Sequence, residues 1–87
     1  MKQEKHFAKH RVYGRIRDMR EDSDMSQHQV AKILDVYPQQ YHLYESGKRE
    51  IPLHLLIRLA DLYGVSLDYL TGRVTHRNES YVKSSTL

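Results

Sequence analysis

Apolar residues in this chain recur every three to four positions and never hold a long strict alternation, so helices are predicted throughout. A first helix is predicted over residues 11–21, with Val12, Ile16, Met19 and Arg20 on one stripe and Tyr13 beside it. A polar connection from Glu21 to Met25 follows. Ser26 then stands as an N-cap, and Gln29 three residues on completes a capping box. The second helix covers residues 27–34, with Val30, Ile33 and Leu34 inward. Asp35, Val36 and Tyr37 form a short turn. The third helix, residues 38–46, opens on Pro38, which suits a first helical position, and stops at Gly47. The fourth, residues 52–63, repeats Leu56, Leu59, Ala60 and Tyr63 at i, i+3, i+4, i+7. Leu55, Ile57 and Leu62 widen that stripe, which predicts a central helix. Gly64 ends it. Ser66 caps a fifth helix, residues 67–70, and Gly72 ends it. Residues 1–10 read as a basic flexible arm, 11–72 as the domain and 73–87 as a polar tail.

Two short helices joined by a three-residue turn make a unit in which the second helix protrudes. The crossing needs a small residue, and Ala31 supplies it. The turn needs the left-handed backbone region, which Asp35 tolerates. Val36 follows as the buried apolar residue. Tyr41 and Tyr44 are expected to face Val30 and Leu34. Pro38, Gln39, His42, Leu43 and Ser46 then face outward, with Gln40 at the margin.

With 87 residues, the chain has room for one small domain, which is marginal alone and gains from self-association. Cysteine is absent, so disulfides and cysteine-based zinc sites are excluded. No secretory signal is read in residues 1–10, and no apolar run approaches the roughly 20 residues needed to cross a bilayer. No membrane association is expected, and a cytoplasmic, nucleoid-associated protein is. The net charge is +3 and the pI about 9.3, mildly basic and consistent with a polyanionic partner. The charge is uneven. Residues 1–20 carry seven Lys/Arg against two Asp/Glu, whereas residues 21–45 carry one against five. Solvated helix faces account for such unevenness as readily as function does. His6 and His10 share a helical i, i+4 spacing but lack a Cys or carboxylate partner, so no metal is assigned. Asn78, Glu79 and Ser80 form a glycosylation pattern without meaning in a cytosolic protein. No nucleophile–base–orienter set, phosphate-binding glycine loop or spaced carboxylate pair is found, so neither an enzyme nor a cofactor is expected.

Ser26-Gln27-x-x-Val30-Ala31-x-x-Leu34-x-Val36 and Tyr44-Glu45-Ser46-Gly47-Lys48-Arg49 together resemble the Cro/C1-type (Xre-like) helix-turn-helix family. So do Ile51-Pro52 and Leu59-Ala60-x-x-Tyr63-Gly64-Val65-Ser66-Leu67-Asp68-Tyr69-Leu70. The resemblance covers residues 13–73. It implies an all-α, five-helix, lambda-repressor-like DNA-binding domain, with the helix-turn-helix at the second and third helices. It also implies a third helix in the major groove of double-stranded DNA and a homodimer on a palindromic operator. The family often sets an Arg of the first helix against the Glu that precedes this glycine, here Arg20 and Glu45, a structural ion pair.

On that footing the base-facing candidates are Pro38, Gln39, Gln40, His42 and Leu43, and the phosphate candidates are Gln27, Tyr37, Ser46, Lys48 and Arg49. Gln39 suits the paired N6 and N7 edge of adenine, and Gln40 suits the same edge or a phosphate. Both equally suit a plain helix surface. Pro38 and Leu43 offer at most a thymine methyl contact; Leu43 also fits a dimer contact or simple exposure. His42 suits a base or a phosphate, or bare solvent. Gln27 lies at a helix N-terminus, where free N–H groups attract anions. Tyr37 replaces the usual Ser or Thr cap; its hydroxyl suits a phosphate and its ring suits packing on Tyr41. Lys48 and Arg49 follow the third helix, at phosphate height. Lys2, Lys5, Lys9 and Arg11 suit an arm along the duplex or a solvated end. The expected function is a sequence-specific transcriptional regulator of repressor type. The alternative is a protein-interaction module of the same fold, antitoxin- or antirepressor-like, with a protein partner. The fifth helix and the tail, through Tyr69 and Leu70, are the expected dimer surface.

Overall fold

A computed structural model of the chain describes residues 12–76. The arm of residues 1–10, the His6 and His10 pair, and the tail from residue 77 lie outside the described residues. Within them the chain forms α1 (Gly14–Asp22), α2 (Gln27–Leu34), α3 (Pro38–Ser46), α4 (Leu53–Tyr63) and α5 (Leu67–Thr71), with no strand. None of these helices is long and apolar enough to cross a membrane.

Local chemistry sets the helix ends. Ser26 Oγ accepts from Gln29 N–H at 3.1 Å, and Gln29 Oε1 accepts from Ser26 N–H at 2.8 Å, a complete capping box at the start of α2. Asp35 ends α2 in the left-handed region, at φ 61° and ψ 45°, and the Val36 N–H returns to Ala31 O at 3.0 Å. A β-branched residue at position 35 would clash there, whereas Asp is tolerated. Gly47 ends α3 at φ 83°. A Cβ at that position would also run into Val12 Cγ2, so the glycine answers both to its own dihedral and to a close neighbour.

All five helices contribute to one core. Ile16, Val30, Leu34, Tyr41, Leu59 and Leu70 are fully enclosed, and Ala31 of α2 is buried with them.

Several expectations are corrected. The first helix starts at Gly14 rather than residue 11, and Val12 precedes it, 54% exposed. Ile33 is not inward: it is 41% exposed, because the buried stripe of α2 runs through Val30, Ala31 and Leu34. Beside it, the Arg58 guanidinium donates to the carbonyls of Leu34 (3.0 Å) and Ile33 (2.7 Å), closing the open C-terminal end of α2. Pro52 is the N-cap of α4, not its first residue, and Ile57 and Leu62 lie largely outside the core. Of the residues expected at a dimer surface, Leu70 is completely buried and offers no exposed apolar contact. Tyr69 is half-buried, and the Arg15 guanidinium stacks 4.0 Å above its ring. Arg15 also donates to the carbonyls of Tyr69 (2.7 Å) and Val74 (2.6 Å), drawing α5 onto α1.

Candidate nucleic-acid interface

Tyr41 and Tyr44 bury one face of α3. Successive helical residues turn by about 100°, so Pro38, Gln39, His42, Leu43 and Ser46 fall on the opposite face. Gln39, His42 and Ser46 are exposed there, and Pro38 and Leu43 are half-buried. Gln27 and His28, at the start of α2, join Pro38, Gln39, His42 and Leu43 around one open groove. Five of the sequence-derived candidates thus come together, along with His28, which sequence reasoning passed over. Its one signal was its place two residues after the Ser26 cap.

Gln40 does not share this groove. Its Nε2 donates to Tyr44 Oη at 2.7 Å. It lines a second depression with Asp35, Val36 and Tyr37, over the turn. Tyr37 is 79% exposed, which leaves little of its ring to pack on Tyr41. Ser46 Oγ donates to Leu43 O at 3.2 Å, within its own helix. Lys48 and Arg49 are exposed just beyond Gly47. The Ser26 cap takes up the N–H of Gln29, and the N–H groups of Gln27 and His28 precede it at the open end of α2.

A polar cluster lies under this surface. The Glu45 side chain is only 4% exposed and accepts four hydrogen bonds. Arg20 donates twice, Nε to Oε2 at 2.7 Å and Nη2 to Oε1 at 3.1 Å. Tyr41 Oη donates to Oε2 at 2.5 Å, and Gln27 Nε2 to Oε1 at 3.0 Å. Burial by itself would raise the Glu45 carboxyl, but the donors from Arg20, Tyr41 and Gln27 outweigh it and hold the group below the usual carboxylate range. The Glu45 hydrogen bond raises Arg20 in turn, against burial. Arg20 Nη1 also donates to Met25 O at 2.9 Å, so one side chain ties α1 to the connection before α2 and to α3. Burial pushes the Tyr41 phenol up, and its bond to Glu45 adds to that. The Tyr63 hydroxyl is buried without a hydrogen-bond partner, and burial, then the Glu45 charge, pushes it up to about 12.

The amide of Gln27 is therefore turned inward to Glu45 and sideways to His42, whose Nδ1 lies 3.3 Å from Gln27 Oε1. Arg17 also borders this region, lining a cleft with Arg20, Gln27 and His42, and pairs with Glu21 at 3.2 Å. It too went unnoticed in the sequence, because its i, i+4 acid makes it look like an ordinary solvated pair.

Two short helices, a three-residue turn opened by left-handed Asp35 and an outward-turned second helix define a helix-turn-helix domain. A family model described as Helix-turn-helix matches residues 16–70, more than half of the chain. The chain belongs to that family, in its Cro/C1-type branch. It is 34% identical over 58 residues to an uncharacterized HTH-type transcriptional regulator of Bacillus subtilis (strain 168), YobD, covering 67% of this chain and 52% of that protein. It is 29% identical over 75 residues to the HTH-type transcriptional regulator ImmR of the same organism, covering 84% of this chain and 59% of that one. The chain thus spans little more than half the length of these relatives. A crystal structure of a transcriptional regulator from Listeria innocua shares the fold, with a TM-score of 0.68 at 24% identity, over 90% of this chain and 78% of that one.

Proposed function

We propose that this chain is a sequence-specific DNA-binding transcriptional regulator that reads an operator half-site with the outer face of α3. One observation carries the reading. Pro38, Gln39, His42 and Leu43 share a single open face, with the N-terminal end of α2 beside it and Lys48 and Arg49 at its far end. A protruding helix of this kind fits the major groove, where base edges present distinct donors and acceptors. Gln39 pairs with adenine N6 and N7, and Pro38 and Leu43 meet thymine methyls. The open end of α2 at Gln27, together with Tyr37, Ser46, Lys48 and Arg49, meets phosphates and sets the register. Gln40, held by Tyr44, reads at the margin or not at all. Two copies bind a palindrome with half-sites about 34–36 Å apart, and the bound dimer represses by occupying the operator. The relatives' names as transcriptional regulators support this reading.

A second reading, a protein-interaction module of the same fold, is favoured by the two apolar residues of the reading face, Pro38 and Leu43. Selection from random duplexes, followed by salt titration, separates the two. A regulator yields a preferred site, and log K falls with log salt by about 0.9 per phosphate contact. Gln39→Ala relaxes preference at one position, whereas Lys48→Ala weakens all duplexes alike and lowers the salt slope by about 1. No preferred site, together with recovery at fixed stoichiometry with another protein, would support the second reading instead.

A further inference from the structure

The polar cluster under α3 does more than hold helices together. Ionised Glu45 can only accept hydrogen bonds, and its Oε1 lies 3.0 Å from the Gln27 amide. The NH2 end of that amide must therefore face Glu45. Its oxygen is then turned toward His42 Nδ1, 3.3 Å away. An amide oxygen accepts, so the hydrogen of a neutral imidazole is drawn to Nδ1. The other ring nitrogen, Nε2, is left with a lone pair on an exposed side chain that borders the reading groove.

We propose that Glu45, acting through Gln27, fixes the tautomer of His42, so that His42 selects a base presenting an amino group in the major groove, adenine or cytosine. The inference rests on the DNA-reading role of α3. Adenine offers N6–H and cytosine N4–H, each able to donate to a bare Nε2. Guanine shows only O6 and N7 acceptors there, and thymine an O4 acceptor and a methyl group. Against either, an unprotonated Nε2 meets an acceptor or a carbon. A histidine without this relay exchanges between tautomers and accommodates guanine through Nε2–H. Gln27 is thus a positioning residue and His42 the specificity-determining one.

Two measurements test this. Long-range 1H–15N correlation spectra of the free protein at pH 8 read which nitrogen of His42 carries the hydrogen. Hydrogen on Nδ1 with Nε2 bare is expected, with a shift toward mixed tautomers in Gln27→Ala. A predominance of Nε2–H, or no change in the variant, overturns the relay. Selection from random duplexes with the wild-type chain and with His42→Ala then identifies the base position that His42 controls. Adenine or cytosine is expected there, preferred over guanine by about fivefold, the lower end for a specific base contact, and the base recovered tells which amino group is bound. Gln27→Ala is expected to lose that preference while keeping a wild-type circular dichroism spectrum. Guanine or thymine at that position, or no position sensitive to His42→Ala, overturns the inference and leaves the regulator reading standing. The absence of any preferred duplex overturns the regulator reading and the base contact together, and the tautomer result is then judged by the spectra alone.

Discussion

Glu45→Gln is the sharpest probe of what holds α3 in place. The substitution keeps the volume and removes the charge. In the folded chain four donors converge on the carboxylate, two from Arg20 and one each from Tyr41 and Gln27. An amide has one acceptor oxygen, and its NH2 group would face donors. The Arg20 charge stays, with its side chain only 13% exposed. Breaking a buried pair from one side costs about 3–5 kcal/mol; Glu21, 3.9 Å from Arg20 Nη2, and the Met25 carbonyl remain beside the guanidinium, so the lower end of that range is expected. A domain of this size has a total stability of roughly 3–10 kcal/mol, so the variant should lose much of it. Urea unfolding followed by circular dichroism measures the loss, with a stabilising osmolyte added if the variant is unfolded in buffer. The double variant Arg20→Met, Glu45→Leu strands no charge and should be less destabilised than Glu45→Gln. A Glu45→Gln loss within about 1 kcal/mol, the range of an exposed pair, would refute the argument. So would a double variant worse than the single one.

The same group predicts a pH dependence. The Glu45 carboxyl is held below its ordinary value of 4.5 in the folded chain. The unfolded chain therefore takes up its proton first as pH falls. The Glu45 contribution is fully present above about 4.5 and is lost as pH falls from there through the folded value. Glu45→Gln should flatten that part of the acid unfolding curve.

Three other outcomes are expected. Tyr41→Phe removes a hydroxyl that donates to a carboxylate and should cost about 1.5–3 kcal/mol, whereas Tyr63→Phe removes a buried unpartnered one and should be neutral or stabilising. Parallel urea melts decide this, and equal losses would show that the Tyr63 hydroxyl has a partner after all. Gly47→Ala should cost at least about 1–2 kcal/mol for its left-handed backbone, and more where its Cβ meets Val12; Val12→Ala in the same chain should restore the second part only, as read from thermal midpoints. Ser26→Ala should cost about 1 kcal/mol by loss of the α2 cap, and a loss below a few tenths would mean that water replaces the cap without penalty.

The sequence by itself determined the features that depend on neighbours a few residues apart. Ser26 and Gln29 form the capping box because both partners sit within one helical turn. Asp35 and Gly47 take left-handed dihedrals that most other residues resist, so their place in the chain marks the helix ends. The 3.6-residue repeat put Tyr41 and Tyr44 on one face of α3, and His42 and Gln39 on the other. Local periodicity could not say how wide each buried stripe is. Ile33, Ile57 and Leu62 continue apolar stripes in the sequence, yet they lie at their edges because the neighbouring helices cover only part of each surface. Nor could it show Leu70 enclosed and Arg15 clamping α5, since those contacts join residues more than 50 positions apart.

The feature that only tertiary structure decided is the linkage beneath the outer face of α3. Arg20, Gln27, Tyr41 and Glu45 come from three helices; the family resemblance paired Arg20 with Glu45, but nothing in the sequence joined Gln27 and Tyr41 to them. They form a network because α1 and α2 both pack on α3, which places Arg20 against Glu45 and Gln27 between Glu45 and His42. Hydrogen bonding reaches about 3 Å, so which donor meets which acceptor follows from the packed backbone and not from spacing along the chain.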